Sequence, residues 1–127
     1  RAQLWGHRCF YLPRARVFHR LSATGGGEVA SYHCGRNFIS VAVKNLPGVV
    51  FRRYWSSIVS TQAAFAVHSI GHFREKAARA RLRGQAAGLL EIPRRLGERR
   101  EIQRGRRVPD EYLLSLLSEP ETTLERS

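Results

Sequence analysis

"FRRYWSSIVSTQAAFAVHSIGHFREK", residues 51–76, is the stretch on which the fold class depends. The chain contains 22 Lys and Arg residues and 10 Asp and Glu residues, yet residues 54–73 contain none of these four types. A helix rises about 1.5 Å per residue, so this charge-free run would cover roughly 30 Å, the thickness of the hydrocarbon core of a bilayer. Its length therefore permits a membrane span.

Within the charge-free run, small and polar side chains recur at steps of four, three, four and four residues. They are Ser57, Thr61, Ala64, His68 and His72. This spacing places them on one face of a helix, while the larger apolar side chains lie mainly elsewhere. Such a helix can cross a membrane if the polar face packs on other helices, and it can equally dock on a soluble core. We predict a span at residues 54–73, with the docked amphipathic helix as the alternative.

Aromatic and basic residues flank this run as they do at membrane interfaces. Because amphipathic rings favour the headgroup level, the predicted interface anchors are Tyr54, Trp55 and Phe73. The predicted contacts with lipid phosphates, cardiolipin among them, or with acidic partner proteins are Arg52, Arg53, Arg74 and Lys76.

The region before the run is predicted to be an extended basic arm, residues 1–45. It mixes arginines with aromatic residues, and the alternation of Ile39, Val41 and Val43 indicates one short strand over residues 38–45. The first 27 residues carry five arginines and no acid. Acid-free, arginine-rich segments are typical of mitochondrial targeting leaders, so a mitochondrial location is predicted.

The rest of the chain is predicted to be helical. Residues 46–92 are expected to form one long central helix, which leaves the membrane and continues as a basic helix until Pro93 ends it. Residues 93–127 are expected to form a basic connector and a short acidic C-terminal helix, whose first turn begins near Pro109. The predicted fold is mainly α, with no independent globular core.

Short motifs in the charge-free run resemble a known class of protein. Phe51-Arg52-Arg53, Trp55-Ser56-Ser57 and Ala64-Phe65-Ala66 are similar to segments of the small subunit 9 family of the cytochrome bc1 complex. That family consists of small single-span accessory subunits. The likeness covers about 20 of the 127 residues. His68 stands where the family carries an acid. Leu46-Pro47-Gly48 and the later Glu98-Arg99-Arg100-Glu101 resemble a single-span subunit of complex I. The resemblance implies an accessory subunit of a respiratory complex, complex III or complex I.

No constellation of catalytic residues is visible, so the chain is expected not to be an enzyme and to use no cofactor or small-molecule substrate. Cys9 and Cys34 do not have zinc-site spacing, and His68 and His72 lack a third ligand, so no metal site is predicted. The expected partners are the larger subunits of a membrane complex in the mitochondrial inner membrane.

The net charge of +12 supports a second function, a mitochondrial ribosomal protein that binds rRNA. Guanidinium groups pair with phosphates, and aromatic rings stack on unstacked bases. The predicted RNA contacts are Arg79, Arg81, Arg83, Arg94, Arg95, Arg99, Arg100, Arg104, Arg106 and Arg107.

Overall fold

The computed structural model describes residues 1–18 and 27–117, and these residues form a small helical protein. A 3-10 turn at Gln3–Trp5 precedes five α-helices. They are α1 (Glu28–Asn45), α2 (Gly48–Gly71), α3 (Lys76–Leu90), α4 (Ile92–Arg104) and α5 (Asp110–Ser115). Helix α1 packs chiefly on α3 and secondarily on α4, while α2 contacts α3 and α5.

Helices α1 and α3 pack so closely that their backbones touch. A Cβ added at Gly84 would lie 2.1 Å from the carbonyl oxygen of Tyr32, and one added at Gly35 would lie 2.5 Å from that of Arg81. Glycine at these positions allows the two helix axes to approach closely, as small residues spaced four apart do in other helix pairs. Gly88, one turn beyond Gly84, continues this contact towards Ile39.

A small apolar core joins the remaining elements. Its buried members are Leu4, Val50, Ile102 and Leu113. They come from the 3-10 turn, α2, α4 and α5, so the core ties the N-terminus of the chain to the last helix. This core corrects the expectation that the chain would have none.

The predicted membrane span at residues 54–73 is wrong. Among the described helices, none combines the length and the apolarity that crossing a membrane requires. Helix α2 is long enough, but it contains no Leu in this run, and Gln62, two histidines and several hydroxyls lower its hydropathy.

The predicted strand at residues 38–45 is also wrong, because these residues form the second half of α1. Ile39 and Ala42 are buried against neighbouring helices, together with Gly35 one turn earlier. This spacing of four and three residues is helical, and packing on α3 and α4 overrides the strand propensity of the β-branched residues. Among the described residues, the predicted extended arm is therefore reduced to residues 7–18, because residues 3–5 form a 3-10 turn and α1 begins at Glu28.

The predicted central helix at residues 46–92 is divided in two. Helix α2 ends at Gly71, and a turn leads into α3, whose N-cap Glu75 is extended. Arg79 stabilises the turn by donating hydrogen bonds to the carbonyls of Phe73 and Arg74, at 2.9 and 2.8 Å. Phe73 and Arg74 lie in the turn beyond the C-cap of α2, where no intrahelical hydrogen bond reaches their carbonyls.

The predicted basic connector after residue 93 is a full helix, α4. The helix does end just before Pro93, as predicted, because α3 ends at Leu90 with Glu91 as its C-cap. Pro93 itself lies in the first turn of α4, where a missing N–H costs nothing. The short C-terminal helix is confirmed as α5, with Asp110 and Glu111 in its first turn.

Candidate nucleic-acid interface

The N-terminus is anchored beside the end of α4. Leu4 is buried, and its carbonyl accepts a hydrogen bond of 2.8 Å from the backbone N–H of Arg107. Trp5 lies against Gly105, where an added Cβ would be 3.2 Å from the indole nitrogen. Gly6 then turns the chain with a positive φ of 83°, a conformation that favours glycine. The anchor fixes the point from which the following residues leave the core.

Residues 7–18 form an exposed arm that begins at this anchor. Phe10, Tyr11 and Phe18 are 81%, 86% and 98% exposed. The arginines of the arm, Arg8, Arg14 and Arg16, are exposed as well. Aromatic rings that are this exposed gain little stability from the fold and are available to a partner.

The end of α4 adds further cations to the same region. Arg100 and Arg104 are one helical turn apart on one face, and Arg107 follows just after the helix. All three are exposed, and within residues 1–18 and 27–117 their side chains form no ion pair or hydrogen bond. We call the six arginines of this region the basic junction: Arg8, Arg14 and Arg16 of the arm with Arg100, Arg104 and Arg107.

The other seven arginines predicted to bind RNA make contacts within the chain. Arg79 holds the turn after α2, and Arg99 donates a 2.6 Å hydrogen bond to the carbonyl of Val43 in α1. Arg83 pairs with Glu28 across α1 and α3, at 2.6 Å between Nη2 and Oε1. These side chains brace helices, so the arginine-rich stretch is not one continuous basic surface.

The remaining three of these arginines in α4 and after it also have acidic partners. Arg95 is the least exposed and pairs with both Glu91 and Glu98, each at 2.7 Å. Arg94 lies 3.4 Å from Glu98 but is itself largely exposed. Arg106 pairs with Asp110. Arg81, in α3, instead lies with its guanidinium carbon 4.3 Å from the centroid of the Phe65 ring.

An ion-pair chain joins α1 to α4. Arg36 donates to Glu91 at 2.6 Å, and Lys44 lies 3.4 Å from Glu98. Hydrogen bonds from Arg36 and then Arg95 hold the pKa of Glu91 below its usual value. A hydrogen bond from Arg95, with a smaller contribution from Lys44, lowers the pKa of Glu98. The same contacts, led by that with Glu98, raise the pKa of Arg95. These charges therefore stabilise the packing of α1 on α4.

The four predicted lipid or partner contacts are exposed but not brought together. Arg52 and Arg53 lie in the first turns of α2, whereas Arg74 and Lys76 lie in and after the turn that follows it. The helical rise separates the two pairs by roughly 30 Å. No described residue joins these pairs into one site.

The predicted interface anchors also differ from one another in the structure. Tyr54 is half-buried, and its hydroxyl donates to the carbonyl of Leu117 at 3.1 Å, which ties α2 to the residues after α5. Trp55 and Phe73 are exposed.

The histidine pair and the cysteines form no metal centre in the described part of the chain, where no group of three metal-ligating residues occurs. The rings of His68 and His72 lie 4.2 Å apart, and His72 Nδ1 donates to the carbonyl of His68 at 2.8 Å. Cys9 lies on the arm and Cys34 on α1, and both are free and exposed.

Sequence reasoning missed the anchor and therefore the junction. The apolar pair Leu4 and Trp5 followed by Gly6 resembles many short turns, and nothing in the sequence indicates that it packs beside residue 107. Comparison with known proteins adds no further assignment, since no protein-family model, no curated protein and no solved structure matches the chain.

Proposed function

We propose that this chain is a non-catalytic RNA-binding component of a ribonucleoprotein, and more specifically a mitochondrial ribosomal protein. The observation that carries the proposal is the basic junction. It combines six arginines with three exposed aromatic rings on an arm whose root is fixed in the core.

The chemistry of the junction suits single-stranded RNA. Arginine forks bind phosphate oxygens, and flat rings stack on bases of any sequence. An arm without helix or strand can follow an irregular backbone and become ordered on it. The hydrogen bond from Arg107 to Leu4 places the start of the arm beside Arg107, so one RNA segment can contact both the arm and the end of α4.

The arginines that brace the fold are not part of the RNA surface in this proposal. Arg79, Arg95 and Arg99 are engaged with carbonyls or carboxylates, and a phosphate would have to displace those partners. RNA contact is therefore assigned to the junction, with Arg94 as an exposed flank.

The expected role as an accessory subunit of complex III or complex I stays a prediction, as does a mitochondrial location. The main support for the respiratory role was the membrane span, which the structure corrects. The proposed RNA-binding role instead rests on charges and rings that the structure describes.

The experiment measures binding of the full chain to a fluorescent single-stranded RNA at several salt concentrations. The logarithm of the binding constant for single strands falls linearly with the logarithm of the salt concentration, with a slope of about −0.7 for each phosphate contacted. The double variant Arg104→Gln and Arg107→Gln is expected to reduce the magnitude of that slope by about 1.4. Replacing Phe10 and Tyr11 with Leu is expected to weaken binding by about tenfold or more, because each stacked base contributes about 1–3 kcal/mol.

The matched control is the double variant Arg52→Gln and Arg53→Gln, which removes the same charge from exposed arginines on α2. If both double variants reduce the slope equally, binding depends on net charge and the junction has no special role. In the native assembly, release by RNase or high salt is expected. Pelleting with membranes after alkaline carbonate would contradict the proposal.

A further inference from the structure

Helices α1 and α2 diverge and leave an apolar groove between them, with a volume of about 790 Å³. Its walls include Phe38 and Val41 from α1 and Ile58 and Phe65 from α2. Phe38, Val41 and Phe65 are 41%, 49% and 38% exposed, so the groove is not closed by the described part of the chain. This surface is separate from the basic junction.

The α1 wall has the pattern of a helix-recognition surface. Its lining residues are Ala30, His33, Cys34, Asn37, Phe38, Val41 and Ala42. They recur at three and four residues, so they form one stripe along α1, on a different side from the glycine contact with α3. The stripe runs for about 18 Å, slightly more than three helical turns. A groove of this shape fits the apolar face of another helix, which presents anchors at the same spacing.

The charge around the groove selects an acidic partner. No Asp or Glu occurs anywhere in residues 29–74, which include both walls. Arg81 lies in the groove against the Phe65 ring, and no carboxylate among the described residues pairs with it. A cation on an apolar surface is stabilised by a carboxylate that arrives with the partner. The same excess of positive charge disfavours a second copy of this chain.

We propose that this groove binds an amphipathic helix of a partner protein, with an apolar face of about three turns and a carboxylate that pairs with Arg81. The chain's own ends fit less well. The arm carries Arg14 and Arg16, which the acid-free walls would repel, and residues 118–127 contain only one large apolar side chain, Leu124.

The test uses the full chain and a synthetic 15-residue peptide with Leu at helical anchor positions and Glu beside them. Fluorescence anisotropy measures the affinity of this peptide for the chain and compares it with the affinities of a Lys-for-Glu version and of a scrambled peptide of equal composition. The Glu peptide is expected to bind at least about tenfold more tightly than either, since charge complementarity and apolar anchors act together. A bromoacetyl group at its centre is expected to label Cys34, which lines the groove, in preference to Cys9 on the arm.

Two matched pairs of variants locate the binding. Phe65→Ala is expected to weaken binding about tenfold, whereas Phe73→Ala, an exposed Phe outside the groove, leaves it unchanged. Arg81→Gln is expected to remove most of the preference for Glu over Lys peptides. Arg83→Gln removes the same charge two residues further along α3, where the side chain pairs with Glu28, and is expected to keep that preference. Circular dichroism checks that each variant keeps its helices.

Several results would overturn the proposal. Equal binding of the scrambled peptide, or equal effects within each variant pair, would show that the groove does not recognise a helix. If phosphatidylglycerol vesicles protected Cys34 from alkylation and the peptide did not bind, the groove would be assigned to lipid. A concentration-dependent dimer lost in Phe65→Ala would assign it to a second copy. A tenfold gain in peptide affinity on truncation after Leu117 would assign it to the chain's own C-terminal residues.

Discussion

Replacing Gly84 with Ala is expected to separate α1 from α3 and to destabilise the fold. The new Cβ would lie 2.1 Å from the carbonyl oxygen and 2.9 Å from the carbonyl carbon of Tyr32. Both atoms belong to the backbone, so no side-chain rotation relieves the clash. The two helices have to move apart by about 1 Å to restore ordinary contact, in an interior that is otherwise close-packed.

The magnitude follows from two opposing effects. Ala is better than Gly in a helix interior by about 1 kcal/mol, which favours the variant. Overpacking of a close contact costs about 1–3 kcal/mol, and occasionally more. A gap of about 0.5–1 Å also forfeits a quarter to a half of the dispersion energy of the atoms it separates, here those around Ile39 and Ala80. We expect a net loss of about 2 kcal/mol in the free energy of unfolding.

Urea unfolding of the full chain, followed by circular dichroism at 222 nm, measures this loss. Gly35, with a contact of 2.5 Å, and Gly88, with one of 3.0 Å, extend the test to a graded series of Ala variants. The expected order of destabilisation is Gly84, then Gly35, then Gly88. The control is Gly97→Ala in α4, where nothing lies within 4 Å of the added Cβ, and a gain of about 1 kcal/mol is expected.

The reasoning would be refuted if Gly84→Ala were as stabilising as Gly97→Ala. That result would mean that α1 and α3 do not cross at this glycine. Equal changes in the free energy of unfolding for the Ala variants of Gly84, Gly35 and Gly88 would lead to the same conclusion. Absence of any cooperative transition in the unmodified chain would instead support the earlier expectation that the isolated protein lacks a stable core.

Three further predictions concern single contacts. Ser40 is buried in α1, and its hydroxyl has no hydrogen-bond partner among the described residues. Ser40→Ala is therefore expected to raise the free energy of unfolding by about 1–2 kcal/mol, measured by urea unfolding. The control, exposed Ser56→Ala, is expected to raise it by about 0.5 kcal/mol. Because the pKa values of Glu91 and Glu98 lie below the ordinary 4.5, their stabilisation is present above about pH 4.5 and lost as pH falls through the lowered values. Urea titrations from pH 7 to 3 should show this loss, and Glu91→Gln should reduce it; an unchanged profile contradicts the ion-pair chain. Arg79→Gln is expected to cost about 1 kcal/mol by removing two hydrogen bonds at the end of α2, and a thermal midpoint within 1 °C of the unmodified chain would contradict that role.

Local patterns in the sequence predicted the helices better than their ends. The apolar face and acidic first turn of α5 were sufficient to predict it, because caps and periodicity act over a few residues. The division of residues 46–92 was missed because Arg79, eight residues after the end of α2, helps to hold the turn. The strand prediction failed for a related reason: Ile39 is helical because Gly88 and its neighbours lie against it, and such long-range packing overrides local propensity.

The candidate site was only partly predictable. Composition indicated many arginines with free charge, but seven of the ten predicted RNA contacts have partners within the chain. Which arginines remain available depends on where α1 packs, since Arg99 bonds to Val43 and Arg83 to Glu28 only in the folded protein. The arm's relation to Arg107 depends on the burial of Leu4, a contact between opposite ends of the chain. Spacing along a sequence carries no information of this kind.

The absence of charge from residues 54–71 of α2 still requires a physical reason once the membrane span is set aside. The exposed side of a helix on a soluble protein normally carries charged and polar residues. Here α2 is covered along one side, by α3 and the core, where Val50 and Ser69 are its fully buried residues. Its groove side carries Ile58 and Phe65, and Trp55 is more than half exposed. Single exposed apolar residues need no explanation, but a charge-free stretch of 18 residues beside a continuous apolar groove does. Coverage by a partner in an assembly explains both the missing charges and the groove, so the stretch that suggested a membrane helix is better understood as a contact surface for protein.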